Sequence, residues 1–292
     1  MRRNGDIDVH VAVRARADVG EGPVWNPETA GLHWVDILAG HIHTSDLETG
    51  VTTTLTVPTS VGAAGRRVAG GFVAATAAGF AEVGDDGTFR PRVDLLPDGI
   101  RMNDAKCDRF GRLWAGSTAL DFATGQGALH VLDLDWTTRV VLDGLSLPNG
   151  IGWSPEDSVL YLVDTAERVV LAFDVDQATC ALTHRRVLRE FSGSTGIPDG
   201  LSVDAAGCLW VAMWGGGRLV RLAPDGEVLA ELPVPVAQPS SCAFVGQRLD
   251  TLCVTSARGG LGLAPDDDSP DGSVLAISGV GVTGTPVGWF GG

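Results

Sequence analysis

A short apolar strand pattern marked by one aromatic residue returns along this chain every 40 to 50 residues or so, about the length of one four-stranded propeller blade. The segments are Leu32-His33-Trp34-Val35-Asp36, Gly71-Phe72-Val73-Ala74, Gly111-Arg112-Leu113-Trp114-Ala115-Gly116, Val159-Leu160-Tyr161-Leu162-Val163-Asp164, Gly207-Cys208-Leu209-Trp210-Val211-Ala212 and a fainter Arg248-Leu249-Asp250-Thr251-Leu252-Cys253-Val254-Thr255. Between them stand turn signals such as Glu48-Thr49-Gly50, Asp85-Asp86-Gly87 and Pro224-Asp225-Gly226, each followed by another apolar or β-branched run. Helix-length amphipathic patterns are scarce, and 40 glycines in 292 residues suit many tight turns. The pattern predicts an all-β fold, a six-bladed β-propeller of four-stranded blades occupying residues 1–292 as a single domain. Val9-His10-Val11-Ala12-Val13-Arg14 alternates like a strand but precedes the first blade. Residues 1–16 are therefore expected to supply a strand that pairs with the last blade and closes the ring.

A polar residue recurs about a dozen positions ahead of the aromatic markers. Glu21, Asn103, Asn149 and Asp199 occupy that phase, in Glu21-Gly22-Pro23, Asn103-Asp104, Pro148-Asn149-Gly150 and Pro198-Asp199-Gly200. Val61-Gly62 and Pro239-Ser240-Ser241 occupy it in the other two repeats. Loops leading into the innermost strands of a propeller border its central channel, so these side chains are expected to converge although they are distant in sequence. Asn-Gly and Asp-Gly also form turns on their own account, but four polar residues in phase, one of them a Glu that gains little from a turn, favour a site.

Charge and cysteine content narrow the partners. A net charge of −15 repels nucleic acid and anionic lipid, which leaves a neutral substrate or a cation. The opening Met1-Arg2-Arg3-Asn4-Gly5-Asp6 has no apolar segment behind it, and no run of about 20 apolar residues suits a membrane span. Five cysteines without a Cys-x-x-Cys pair read as buried small hydrophobes in a reducing compartment, and a cytoplasmic location is expected. Lys106 is the sole lysine, a bias that reads as genome composition.

The proposed centre has a definite chemistry. Glu21, Asn149 and Asp199 offer two carboxylates and an amide carbonyl, hard oxygen donors suited to one divalent metal ion: Ca²⁺, Mg²⁺ or Mn²⁺, with Zn²⁺ or Fe²⁺ as further options. So few protein donors leave positions for water and substrate, as catalytic metal sites do. A cation so placed polarises a carbonyl oxygen and acidifies water, and ester or lactone hydrolysis is the natural reaction.

The chain resembles the SMP-30/gluconolactonase/regucalcin-like family of six-bladed propeller lactonases. The likeness runs through Glu21-Gly22-Pro23-Val24-Trp25, Arg101-Met102-Asn103-Asp104, Gly111-Arg112-Leu113-Trp114-Ala115-Gly116, Pro148-Asn149-Gly150, Ile197-Pro198-Asp199-Gly200 and Gly216-Gly217-Arg218. The resemblance implies a sugar lactone as substrate, a metal held by Glu21, Asn149 and Asp199, and Asp199 as general base. It also implies Arg101, Asn103 and Asp121 as substrate contacts, with Asp121 standing where animal members carry a Glu and so one methylene shorter in reach. The segment Asp121-Phe122-Ala123-Thr124-Gly125-Gln126-Gly127 is expected to be a mobile loop at the channel mouth that tunes specificity.

Other features have plainer readings. Asp104, Asp108, Asp164 and Asp204 read as turn or strand-end residues. His41 and His43 share a strand face without a third imidazole, and Asp266-Asp267-Asp268 with Asp271-Gly272 lacks the spacing of a calcium loop. Trp25, Trp34, Trp114, Trp153 and Trp210 read as packing anchors, with Trp214 in a position to line the pocket. Gly279-x-Gly281-x-x-Gly284 satisfies a dinucleotide fingerprint by letter, but no helix pattern follows Pro286, and it reads as glycine-rich closure of the last blade. Alternative functions are a non-enzymatic calcium-binding or regulatory propeller, a binding platform, or a metal-dependent hydrolase of another cyclic ester, an imidate or a phosphotriester.

Overall fold

The computed structural model describes residues 7–193, 195–264 and 266–292. Its strands form six sheets of four antiparallel strands each, and among the described residues there is no helix, hence none long and apolar enough to cross a membrane. Five sheets take four consecutive strands apiece. The sixth takes Pro239–Val245, Thr251–Ser256 and Val274–Ser278 from the end of the chain and Asp8–Val13 from its start as the outermost strand. Val9 pairs with Ile277 and Val11 with Leu275, so the two ends of the chain clasp one blade, as the alternating N-terminal run predicts. The strand occupies part of the expected 1–16 segment, of which residues 1–6 lie outside the described residues.

Burial falls from axis to rim. The second strands, most of which carry the aromatic markers, are almost entirely buried, as in Gly31–Asp36 and Leu113–Ala119, whereas outer strands such as Thr52–Thr56 and Leu182–Glu190 are largely exposed. A strand sends alternate side chains to opposite faces, and here each face meets a neighbouring blade. Leu32 and Trp34 pack with Val245 and Cys253 of the sixth blade, while Val35 packs with Val61 and Phe72 of the second. Six such apolar clusters, one at each blade junction, replace a single core, which is how a domain of this length buries its apolar surface without a thick interior. Two of the hairpins between first and second strands are tied by aspartates. Asp108 accepts the backbone N–H groups of Phe110 and Arg112 and the indole N–H of Trp114, and Asp204 does the same for Ala206, Cys208 and Trp210. Both are turn residues, as the sequence predicts.

The glycine-rich C-terminal segment departs from expectation. Instead of completing the last blade, it leaves that blade after Ser278 and crosses the face where these hairpins lie. There Thr283 accepts from the Ala205 N–H, Phe290 exchanges hydrogen bonds with Arg66 and Val68, and Gly291 donates to the Gly111 carbonyl. Phe290 is fully buried against Trp136, and a Cβ on Gly288 would collide with the carbonyl of Asp108. The glycines serve close approach of this strap to the blades. Gly288→Ala is expected to cost about 1–3 kcal/mol, the usual penalty of overpacking, read as a lowered urea midpoint; unchanged stability would show that the strap does not lie where it is described.

Candidate active site

Each innermost strand breaks its pairing register close to its start. The shifts fall between Glu21 and Val24, Val61 and Ala63, Met102 and Ala105, Pro148 and Ile151, Pro198 and Leu201, and Pro239 and Ser241. A bulge turns side chains out of the two sheet faces, here toward the axis. Glu21, Asn103, Asn149 and Asp199 stand at four of these bulges, inside strands rather than in the loops leading to them, and all four are buried and line one cavity of about 630 Å³. Glycine after the polar residue serves packing as much as turning. A Cβ on Gly150 would sit 2.7 Å from the Asp199 carbonyl oxygen, and one on Gly200 would collide with Ser241.

The cavity floor is acidic. Asp199 accepts from the Asn149 amide, contacts Glu21, and has its pKa raised well above the usual carboxylate value by burial and then by the nearby Asp104. Glu21 is raised likewise, by burial, by Asp199 and by Asp104, although its Oε2 accepts the Gly22 N–H at 2.8 Å. The Asn149 Nδ2 also reaches Thr165 Oγ1 at 3.1 Å, and because a hydroxyl both donates and accepts, Thr165 supports either orientation of that amide. Two buried carboxylates with raised pKa values, beside an amide, are a donor set that a hard divalent cation would satisfy. Among the described residues no group of three or more His, Cys, Asp or Glu is placed to hold a metal ion.

Arg101 is a cavity residue, not a surface arginine. Its guanidinium donates to the Met102 carbonyl at 2.9 Å and to Asn103 Oδ1 at 2.8 Å, and burial lowers its pKa. Asn103 donates from Nδ2 to the Pro148 carbonyl at 3.0 Å, so both ends of its amide are engaged and it braces Arg101 against the fourth blade. Trp214 lines the cavity as well. Asp121 does not: it is exposed, and its carboxylate accepts the Ala123 N–H at 3.1 Å, capping a turn that brings its neighbours Leu120 and Phe122 into the lining.

Sequence reasoning passes over two ionisable residues here, a buried aspartate and a half-buried lysine. Asp104, read as a turn residue, lies buried within the strand Ile100–Cys107 and near enough to Glu21 and Asp199 to raise both pKa values. Lys106, read as a trace of genome composition, donates to the Leu201 carbonyl at 2.8 Å and helps to keep Glu21 and Asp104 charged, while its own pKa is lowered by burial. Consecutive Asn103 and Asp104 would point to opposite faces of a regular strand, so their joint placement by the axis needs the bulge. The signal available in sequence was a lone lysine two residues after an aspartate beside a candidate site residue.

Residues 19–258 match the family described as SMP-30/Gluconolactonase/LRE-like region. The chain belongs to that family. It is 38% identical over 250 residues to a 6-deoxy-6-sulfogluconolactonase of Pseudomonas putida, covering 84% of this chain and 86% of that protein. It is 36% identical over 274 residues to a pentonolactonase of Haloferax volcanii, covering 92% and 93%. Among solved structures it is similar to a calcium-binding protein, regucalcin, from Agrobacterium tumefaciens, with a TM-score of 0.88, 28% identity and 96% of each chain covered.

The raised pKa values have a consequence for stability. Without a cation, the folded protein retains protons that the unfolded chain releases above its ordinary carboxylate values of 4.5 for Glu21 and 3.8 for Asp199, so stability is lost as pH rises through the raised folded values. In chelator, the melting temperature of wild type should fall relative to that of Glu21→Gln as pH goes from about 5 to about 8, and a divalent cation should remove the difference. Parallel pH profiles of the two proteins in chelator would show that Glu21 carries no such burden.

Proposed function

We propose that the protein hydrolyses a sugar lactone with the help of one divalent cation held by Glu21, Asn149 and Asp199. The observation that carries this reading is the burial of two carboxylates and an amide together at the floor of a cavity whose one lining cation, among the described residues, is Arg101. The names of the relatives, a sulfogluconolactonase, a pentonolactonase and a calcium-binding regucalcin, support lactone chemistry and divalent-metal use. When bound, the cation supplies Lewis-acid polarisation of the lactone carbonyl.

The chain's own residues do the rest. Arg101, fixed by Asn103 and the Met102 carbonyl, keeps N–H groups directed at ring oxygens, and its planar fork sets orientation as well as charge. Asp199, whose basicity is raised by burial, takes a proton from the water that attacks the carbonyl carbon. The ring C–O bond then breaks, and the same proton passes to the departing alkoxide, so that a hydroxy acid leaves with no net change in the enzyme. Asp104 and Lys106 sit beyond this step and set the electrostatic balance around Glu21.

Asp199→Asn should lower kcat on the best lactone by at least about a hundredfold, the usual worth of a positioned base, in a pH-stat assay with excess cation. Asn103→Ala should mainly raise KM by releasing Arg101. Near wild-type turnover in cation-saturated Asp199→Asn would rule out its part as base. A cation-loaded enzyme that releases no acid from any lactone would favour a calcium-binding propeller without turnover.

A further inference from the structure

The cavity is chemically divided. Glu21, Asn103, Asn149 and Asp199 are each buried at its floor, while the exposed residues of its lining are all apolar. Leu38, Leu120 and Phe122 are 64%, 60% and 50% exposed, and all three line this cavity. Large apolar side chains held in water at a cavity mouth are costly unless something covers them, and such exposure concentrated at one opening marks a binding surface. Ile37, Leu147 and Trp214 continue the apolar wall inward.

The loop that forms one side of the mouth is shaped to present this surface. Phe122 has a φ of 57°, the left-handed region that a bulky residue adopts at a cost. Its N–H donates to the Ala119 carbonyl at 3.0 Å, the Asp121 carboxylate accepts the Ala123 N–H, and the Gly125 N–H donates to Ser146 Oγ at 3.2 Å. One oxygen of Asp121 thus serves the loop's own backbone, and the residue stands outside the cavity lining. Opposite the floor, then, the substrate meets hydrocarbon. A volume of about 630 Å³ falls in the range that houses drug-sized ligands, well beyond one lactone ring.

We propose that the substrate is an amphipathic lactone: its carbonyl and one hydroxylated edge face the floor and Arg101, and an alkyl or aryl substituent on the ring extends between Leu38, Leu120, Phe122 and Trp214. An anionic substituent is disfavoured, because among the described lining residues Arg101 is the one cation and it belongs to the floor. The inference rests on the lactonase reading but concerns the end of the substrate remote from the reaction.

The test is a series of five-membered lactones with a hydroxyl beside the carbonyl and a hydrogen, methyl, ethyl or butyl group on the carbon that bears the ring oxygen. With the cation-loaded enzyme, kcat/KM should rise about fourfold per methylene, the worth of burying each one. Phe122→Asn removes the ring while keeping a residue that tolerates the left-handed backbone, and it should flatten that slope to less than about twofold. A flat or falling series in wild type, or an unchanged slope in Phe122→Asn, overturns the proposal. Should no lactone be opened, the lactonase reading fails by itself. Calorimetric titration with cyclopentanones bearing the same substituents then decides the apolar wall: affinity rising with chain length supports it, and affinity independent of chain length overturns it.

Discussion

A strand buried between two neighbours has no side chain left for a third direction, because alternation commits every residue to one face or the other. The innermost strand of each blade is in that position, packed on both sides by adjacent blades, and it must also furnish the wall of the central cavity. The six register breaks resolve the conflict. Beyond each break the strand resumes its alternation and serves the blade junction, as Leu201 and Val203 do in the fifth blade and Ile151 in the fourth. The catalytic reading therefore depends on a backbone irregularity repeated around the ring, with ring closure by Asp8–Val13 holding the blades in register.

The same geometry sets the electrostatics. Bringing Glu21, Asp104 and Asp199 into one buried region is unfavourable without compensation. Part of it comes from within the chain, from Lys106 beside Asp104 and Glu21 and from Arg101 at the cavity wall. The carboxylates nonetheless keep raised pKa values, so the internal cations do not neutralise them fully, and room remains for a mobile cation to do so. Glu82, shared among Arg67, Arg90 and Arg92 near the protein surface, shows the contrast: there paired arginines lower a carboxylate's pKa outright. Glu82 is thus met by charges of the chain itself, whereas Glu21 and Asp199 keep raised pKa values.

Much of this was legible in the sequence, and the reason is repetition. Trp34, Trp114, Tyr161 and Trp210 mark the second strand of their blades because that strand is buried on both faces and needs volume, so the marker and its phase survive where single propensities are weak. The position of Glu21, Asn103, Asn149 and Asp199 follows from that phase. What the phase does not encode is a departure from periodicity. A bulge is visible as neither composition nor spacing, so Asp104 reads as a turn or strand-end residue although it lies buried near Glu21 and Asp199. The path of the C-terminal strap depends on contacts with Asp204, Gly111 and Arg67, each far away in sequence, and no local pattern announces them. Asp121 shows a further limit: matching a position to a family places a residue on a loop, but not the turn that the loop adopts, in which Asp121 accepts the Ala123 N–H outside the cavity lining.

The central claim, that three of the bulges gather Glu21, Asn149 and Asp199 around one cation, is tested most directly by anomalous scattering from crystals grown with Mn²⁺. The account predicts one dominant peak at the cavity floor, within about 2.0–2.6 Å of carboxylate oxygens of Glu21 and Asp199 and the amide oxygen of Asn149. A peak elsewhere, or none at the floor with the carboxylates still in contact, would contradict it.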